Sequence, residues 1–158
     1  MYNPNEISNA IKNSAKNKSI TMKQLLEECG INKGFIYDLE HKKSYPSCDK
    51  ISRIADHLDC SVDYLLGRTD NPKVNKQDIA FIYDIQKTRE LILNLLKKNA
   101  KTTNQMLASL GYNNSLILDM ARKNSMPSGD KLGKIADYLD CSVDYLLGRT
   151  DNPNSHKS

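Results

Sequence analysis

Most signatures of catalysis, metal binding or membrane insertion are missing from this chain. Its three histidines are scattered, and no Cys/His grouping has the spacing of a zinc site. There is no glycine-rich phosphate loop, and no nucleophile stands in a motif with a base. An enzyme is therefore not expected, nor is a cofactor or a metal. The four cysteines, Cys29, Cys48, Cys60 and Cys141, include no C-x-x-C pair, and Cys60 and Cys141 read as small buried apolar residues. No signal peptide and no apolar run long enough to span a bilayer is present, so no membrane partner is expected. Unpaired cysteines without an export signal point to the cytoplasm. No segment alternates with period two for long enough to make a strand, which leaves an all-α fold.

What is present is a repeat. Residues 49–72 read DKISRIADHLDCSVDYLLGRTDNP and residues 130–153 read DKLGKIADYLDCSVDYLLGRTDNP, identical at 20 of 24 positions with a constant offset of 81. A period of that size fits a small domain and is too long for a solenoid repeat. The expected organisation is a first domain over 1–72, a partly helical linker over 73–85, a second domain over 86–153 and a frayed tail over 154–158. Units of this size bury a modest core, so a fixed contact between them would stabilise both. The net charge of +4 is mildly basic and does not by itself indicate nucleic acid.

Each copy reads as five short helices. The first covers roughly 5–17, and 86–99 in copy two. The second starts at Thr21 or Thr102, each with a glutamine three residues on in a capping-box pattern, and buries Leu25, Leu26 and Cys29, or Met106, Leu107 and Leu110. Gly30 and Gly111 end it. Asn32 and Asn113 are expected to cap a third helix that buries Ile36 and Leu39, or Ile117 and Met120, and stops at Tyr-Pro-Ser or Met-Pro-Ser. The fourth helix repeats Ile51, Ile54, Ala55 and Leu58 as Leu132, Ile135, Ala136 and Leu139. The fifth is capped by Ser61 or Ser142 and ends at Gly67 or Gly148. In the linker, Ile79, Ile82 and Ile85 at three-residue spacing suggest a helix continuous with the first helix of copy two. That helix either packs on its own domain or offers a surface that docks the two copies or a second chain.

A helix from Thr21, a turn at Gly30 and a second helix from Asn32 make a helix-turn-helix, whose projecting second helix fits the major groove of B-DNA. The run T-x-x-Q-L-L-x-x-x-G-I-N-x-x-x-I-x-D-L-E, followed by a Pro-Ser helix start and IADHLDCSVDYLLGRTD, resembles the Cro/lambda-repressor type of helix-turn-helix domain (the XRE family). The likeness is to small regulators of Gram-positive bacteria, their phages and mobile elements. It covers about 5–70 and 86–151. It implies two tandem five-helix DNA-binding domains, and a regulator, expected to be a repressor, that pairs on operator DNA. One departure is visible: leucine stands at Leu26 and Leu107, where the family often has a small residue.

With Ile36 and Leu39 turned to the core, Gly34, Tyr37, Asp38 and His41 face outward and Lys33 stands at the flank. The resemblance places Lys33, Gly34, Tyr37 and Asp38 toward the groove. Lys33 can donate to guanine, Asp38 can accept from cytosine, and Tyr37 can meet a thymine methyl or a phosphate. His41, Lys42 and Lys43 are candidate phosphate contacts, as are the helix starts at Thr21, Thr102 and Ser47. His57 reads as a packing residue.

The second face differs. It consists of Asn113, Asn114, Ser115, Leu118, Asp119 and Arg122, followed by Lys123. Asn114 can read adenine, whereas Leu118 puts an apolar side chain where copy one has Tyr37. Residues 20–43 and 101–124 agree at only 8 of 24 positions, largely caps, turns and core. The partner expected first is double-stranded DNA, read at two unlike half-sites; a homodimer would present four heads. The competing expectation is a protein-binding inhibitor or antirepressor, with one or both domains binding a protein or nucleoprotein partner, the second domain being the possible site for a protein.

Overall fold

The computed structural model describes residues 2–74 and 83–157; Ile79 and Ile82 lie outside the described residues. Within them the chain is helical: α1 (Pro4–Asn17), α2 (Met22–Cys29), α3 (Phe35–His41), α4 (Cys48–Leu58), α5 (Val62–Leu65), α6 (Ile85–Lys98), α7 (Thr103–Leu110), α8 (Leu116–Arg122), α9 (Gly129–Leu139) and α10 (Val143–Leu146), closed by a 3-10 turn at Ser155–Lys157. Helix lengths run 14, 8, 7, 11 and 4 residues in α1–α5 and again in α6–α10.

Local chemistry sets these boundaries. The Thr21 and Thr102 hydroxyls accept from the amides of Gln24 and Gln105, and the glutamine side chains accept in return, which completes both expected capping boxes. Gly30 and Gly111 end those helices at φ 67° and 71°, where a side chain would be strained. Arg53 of α4 donates to the Cys29 carbonyl at 2.7 Å, so the open end of α2 is satisfied from a neighbouring helix. Ser61 and Ser142 cap α5 and α10 as expected.

Several expectations need correction. The third helix begins at Phe35 and Leu116, not at Asn32 and Asn113. The two asparagines accept instead from the amides of Gly34 and Ser115, at 2.8 and 2.9 Å, and so shape a lead-in turn. The buried face of α3 also differs from expectation: Phe35 and Leu39 are buried and Ile36 is half-buried, while α8, after the same kind of turn, buries Ile117 and Met120 as expected. Both helices stop before the Pro-Ser segments, because Lys43 and Asn124 take left-handed backbone at φ 50° and 49°. α6 starts at Ile85, where Asp84 is extended and accepts from the amides of Gln86 and Lys87; a helix continuous through Asp84 is therefore broken at that cap. The tail is not frayed, since residues 155–157 form the 3-10 turn and Lys157 pairs with Asp140 at 2.8 Å.

Packing then follows sequence order. α1 lies on α2, α3, α4 and α5, with α2 against α4; α6 lies on α8, α9 and α10, with α7 against α9. Ile7, Ile11, Leu25, Leu39, Ile51, Ile54 and Leu58 fill the first of these cores, and Ile92, Met106, Leu107, Leu132 and Ile135 the second. A fully buried Leu or Ile contributes about 1.5–3 kcal/mol over leaving it in water. All four cysteines are buried and free. Burial pushes the thiols of Cys60 and Cys141 up to about 12, so neither is a reactive thiolate. α4 also meets α9, and α5 meets α10, so the two groups of helices share a contact surface. No described helix is long and apolar enough to cross a membrane.

Candidate nucleic-acid interface

α2, the Gly30 turn and α3 form a helix-turn-helix; α7, the Gly111 turn and α8 follow one another in the same order and with the same lengths. α1, packed behind α3, holds it. Phe35 and Leu39 anchor its inner face in the core, and Glu40 reaches α1, accepting from Ser8 at 2.7 Å and from Lys12. The Lys12 and Ser8 bonds hold the Glu40 carboxyl below the usual carboxylate range. The outer face is thereby fixed toward solvent.

On that face Tyr37 is 58% exposed and stacks on His41, with ring centroids 4.2 Å apart and planes 16° from parallel. The His41 ring nitrogen Nδ1 lies 3.2 Å from the Tyr37 carbonyl, which steadies the stack. Asp38 is paired with Lys42 at 3.0 Å, one turn on. A base contact from Asp38 therefore competes with an exposed ion pair of small net value. Lys33, Lys42 and Lys43 are exposed, Lys33 on the lead-in turn and Lys43 just past the helix. Gly34 is half-buried in the same turn.

The second face is held differently. Gln86 of α6 donates its amide to the Met120 carbonyl at 2.7 Å and to Asn124 at 3.3 Å. Arg89 donates to the Ile117 carbonyl at 3.3 Å. α8 is thus held through its carbonyls, where α3 is held through a side-chain carboxylate. Leu118 is 46% exposed at the place of Tyr37, flanked by exposed Asn114, Arg122 and Lys123. Asp119 lies 3.6 Å from Lys123 and accepts from Ser115 at 3.3 Å.

The expected residues therefore gather on two surfaces, with some in supporting roles. Thr21 and Thr102 commit hydroxyl and amide to their capping boxes. Asn32 and Asn113 commit their side-chain oxygens to the lead-in turns. His57 of α4 meets Glu28 of α2 at 2.5 Å, a contact between those two helices. One residue escaped the sequence reading: Tyr45, taken as part of a helix stop, is 44% exposed in the loop after α3. It lines a shallow pocket with Asn32, Asp38, Ser47 and Lys50, at the edge of the reading face. An aromatic side chain beside a lysine pair in the loop following α3 was the available signal.

Known proteins resemble part of this chain. Residues 10–71 match the Cro/C1-type HTH DNA-binding domain. The chain is also similar to the uncharacterized HTH-type transcriptional regulator YobD of Bacillus subtilis (strain 168), with 39% identity over 66 residues, 40% of this chain and 59% of that protein. The chain thus spans about three fifths of the length of the curated relative it matches. No solved structure matches. The first half of the chain is thus similar to a Cro/C1-type helix-turn-helix DNA-binding domain.

Proposed function

We propose that the chain is a single-molecule pseudo-dimer that represses transcription by reading two unlike half-sites in double-stranded DNA. Its two tandem five-helix domains insert α3 and α8 into successive major grooves. The observation that carries this reading is the pattern of likeness. The copies agree at 20 of 24 positions in residues 49–72 and 130–153, and at 8 of 24 across the two helix-turn-helix stretches. One scaffold thus carries two different faces. Lys33 reads guanine, Tyr37 and Tyr45 meet methyls or phosphates, and Asn114 reads adenine. Lys42, Lys43, Arg122 and Lys123 hold the backbone. The protein works in the cytoplasm, on the nucleoid, of a Gram-positive host or its mobile elements; the Bacillus relative is consistent with that.

Binding tests this. Selection of the full chain on randomised duplexes should recover a non-palindromic site with half-sites about 34 Å apart. Affinity for that site should fall steeply with salt as counterions are released. Absent or salt-insensitive DNA binding contradicts the proposal.

A second reading rests on Leu118. An apolar side chain 46% exposed on α8 suits a protein partner, which makes the second domain an inhibitor or antirepressor surface. Under that reading Leu118→Glu abolishes capture of the partner and leaves DNA affinity intact; under the first it weakens one half-site.

A further inference from the structure

The two groups of helices meet through two sets of contacts. In the first, the Asp63 carboxylate accepts from the amides of Val143 and Asp144 at 2.9 and 3.0 Å, and the Asp144 carboxylate accepts from those of Val62 and Asp63, both at 3.0 Å. Each aspartate thus satisfies the open first amides of the opposite group's last helix, α10 or α5. Arg68 binds Asp63, Asp137 and the Cys141 carbonyl, and Arg149 binds Asp144, Asp56 and the Cys60 carbonyl. Every one of these pairs has its mirror 81 positions away, the mark of an isologous contact. The Tyr2 hydroxyl adds a further tie, donating to Asp137 at 2.7 Å.

The second set lies between the loops that follow α3 and α8. Ser47 and Ser128 form an antiparallel β-bridge. Beside it the Gly129 amide donates to the Pro46 carbonyl at 2.9 Å, and the Cys48 thiol donates to the Pro127 carbonyl at 3.2 Å. Pro46 and Pro127 are counterparts in the repeat, so each proline's carbonyl is bound by the other group. The loops are also tied at their other ends. The Ser44 amide donates back to the Asp38 carbonyl of α3 at 3.3 Å, and Asn124 accepts from Gln86 at 3.3 Å. A proline in each loop fixes one backbone torsion. The route from α3 to α8 over the bridge therefore covers only residues 42–47 and 123–128. The covalent route runs through α4, α5, residues 73–85, α6 and α7, and neither end of the 73–85 segment lies on α3 or α8.

We infer that the loop bridge, clamped by the crossed aspartate caps, sets the separation and facing of α3 and α8, whatever the length of the 73–85 segment. Resting on the reading of both helices as DNA readers, this makes the bridge the determinant of how many base pairs separate the two half-sites. The reason is stiffness. A flexible connection admits a broad range of separations. The crossed caps admit one mutual orientation, because each carboxylate meets two amides and a guanidinium at once. Gly129 stands at the tightest point of the bridge: a Cβ there would lie 3.2 Å from the Pro46 oxygen and 3.4 Å from Leu66. A larger residue at that position wedges the loops apart.

Spin labels on Lys33→Cys and Asn114→Cys, counterpart positions on the exposed lead-in turns, report the separation by double electron–electron resonance without DNA. The four native cysteines are buried. Inserting about ten Gly/Ser residues within 75–82 of the full chain should leave the same narrow distance distribution. Gly129→Leu should widen it, with helical content retained by circular dichroism. On randomised duplexes the lengthened chain should select the same half-site spacing as the original. A distance distribution or a selected spacing that widens with the inserted residues, or a distribution that a folded Gly129→Leu chain keeps narrow, would overturn the inference. If Gly129→Leu unfolds the chain, the insertion alone decides. Because the label distance uses no DNA, a narrow distance without DNA binding would count against the proposed function and not against the bridge.

Discussion

α3 and α8 have the same length, follow the same kind of asparagine-led turn and end at the same left-handed position, yet they offer different chemistry. α3 presents a stacked Tyr37–His41 pair between lysines. α8 presents Leu118 between Asn114 and Arg122. The difference extends behind the helix. α3 is tied to α1 through the Glu40 carboxylate, α8 to α6 through Gln86 and Arg89. What stays alike between the copies is concentrated elsewhere, at Asp63, Arg68, Asp144 and Arg149. Those residues bind each other's half, so a change in one copy strands a partner in the other. An isologous surface holds its two sides to one sequence, whereas an outward face carries no such constraint.

The largest effect should come from breaking what the copies share. Arg149 is 5% exposed and serves both Asp144 and Asp56, so Arg149→Ala leaves a buried carboxylate without its counter-charge. A loss of about 3–5 kcal/mol is expected by denaturant unfolding. Arg68→Ala should cost a similar amount, since its bonds mirror those of Arg149; a tenfold smaller effect would show that the two sides are not equivalent.

The next effect sharpens the contrast between faces. Grafting α3 chemistry onto α8, with Asn114→Lys, Ser115→Gly, Leu118→Tyr and Arg122→His, should turn the selected DNA site toward a palindrome. An unchanged site would mean that α8 does not read bases. Lys33→Ala should weaken affinity by about 1–3 kcal/mol at its own base pair and relax preference there alone. The smallest effect concerns support of the reading helix. Glu40→Gln removes the charge that meets Lys12 and should loosen α3 on α1, seen as faster amide exchange in α3 with α8 unchanged. Equal change in both helices would place the effect outside the Glu40 tie.

How much was legible in the sequence follows from the range of each interaction. The caps at Thr21, Thr102, Ser61 and Ser142 and the glycine stops involve residues a few positions apart, and local patterns carry them. The apolar spacing of α4 and α9 predicts their buried faces correctly. The start of α3 was misread because an asparagine that caps a helix and one that closes a turn look alike in sequence. Phe35 is a core anchor that the Ile36 and Leu39 spacing does not show, and the repeat does not reveal it either, since its counterpart Leu116 is only half-buried. The contacts of Tyr2, Cys48 and Gly129 span pairs 79 to 135 positions apart, and no local pattern announces them. The repeat itself was the visible trace of that surface, read first as shared scaffold.

Selection of the intact chain on randomised duplexes, with native mass spectrometry of the recovered complex, tests the central claim most directly. The expected result is one chain per duplex on two different half-sites about one helical turn apart. Two identical half-sites, or a complex that needs two chains to form, would contradict it.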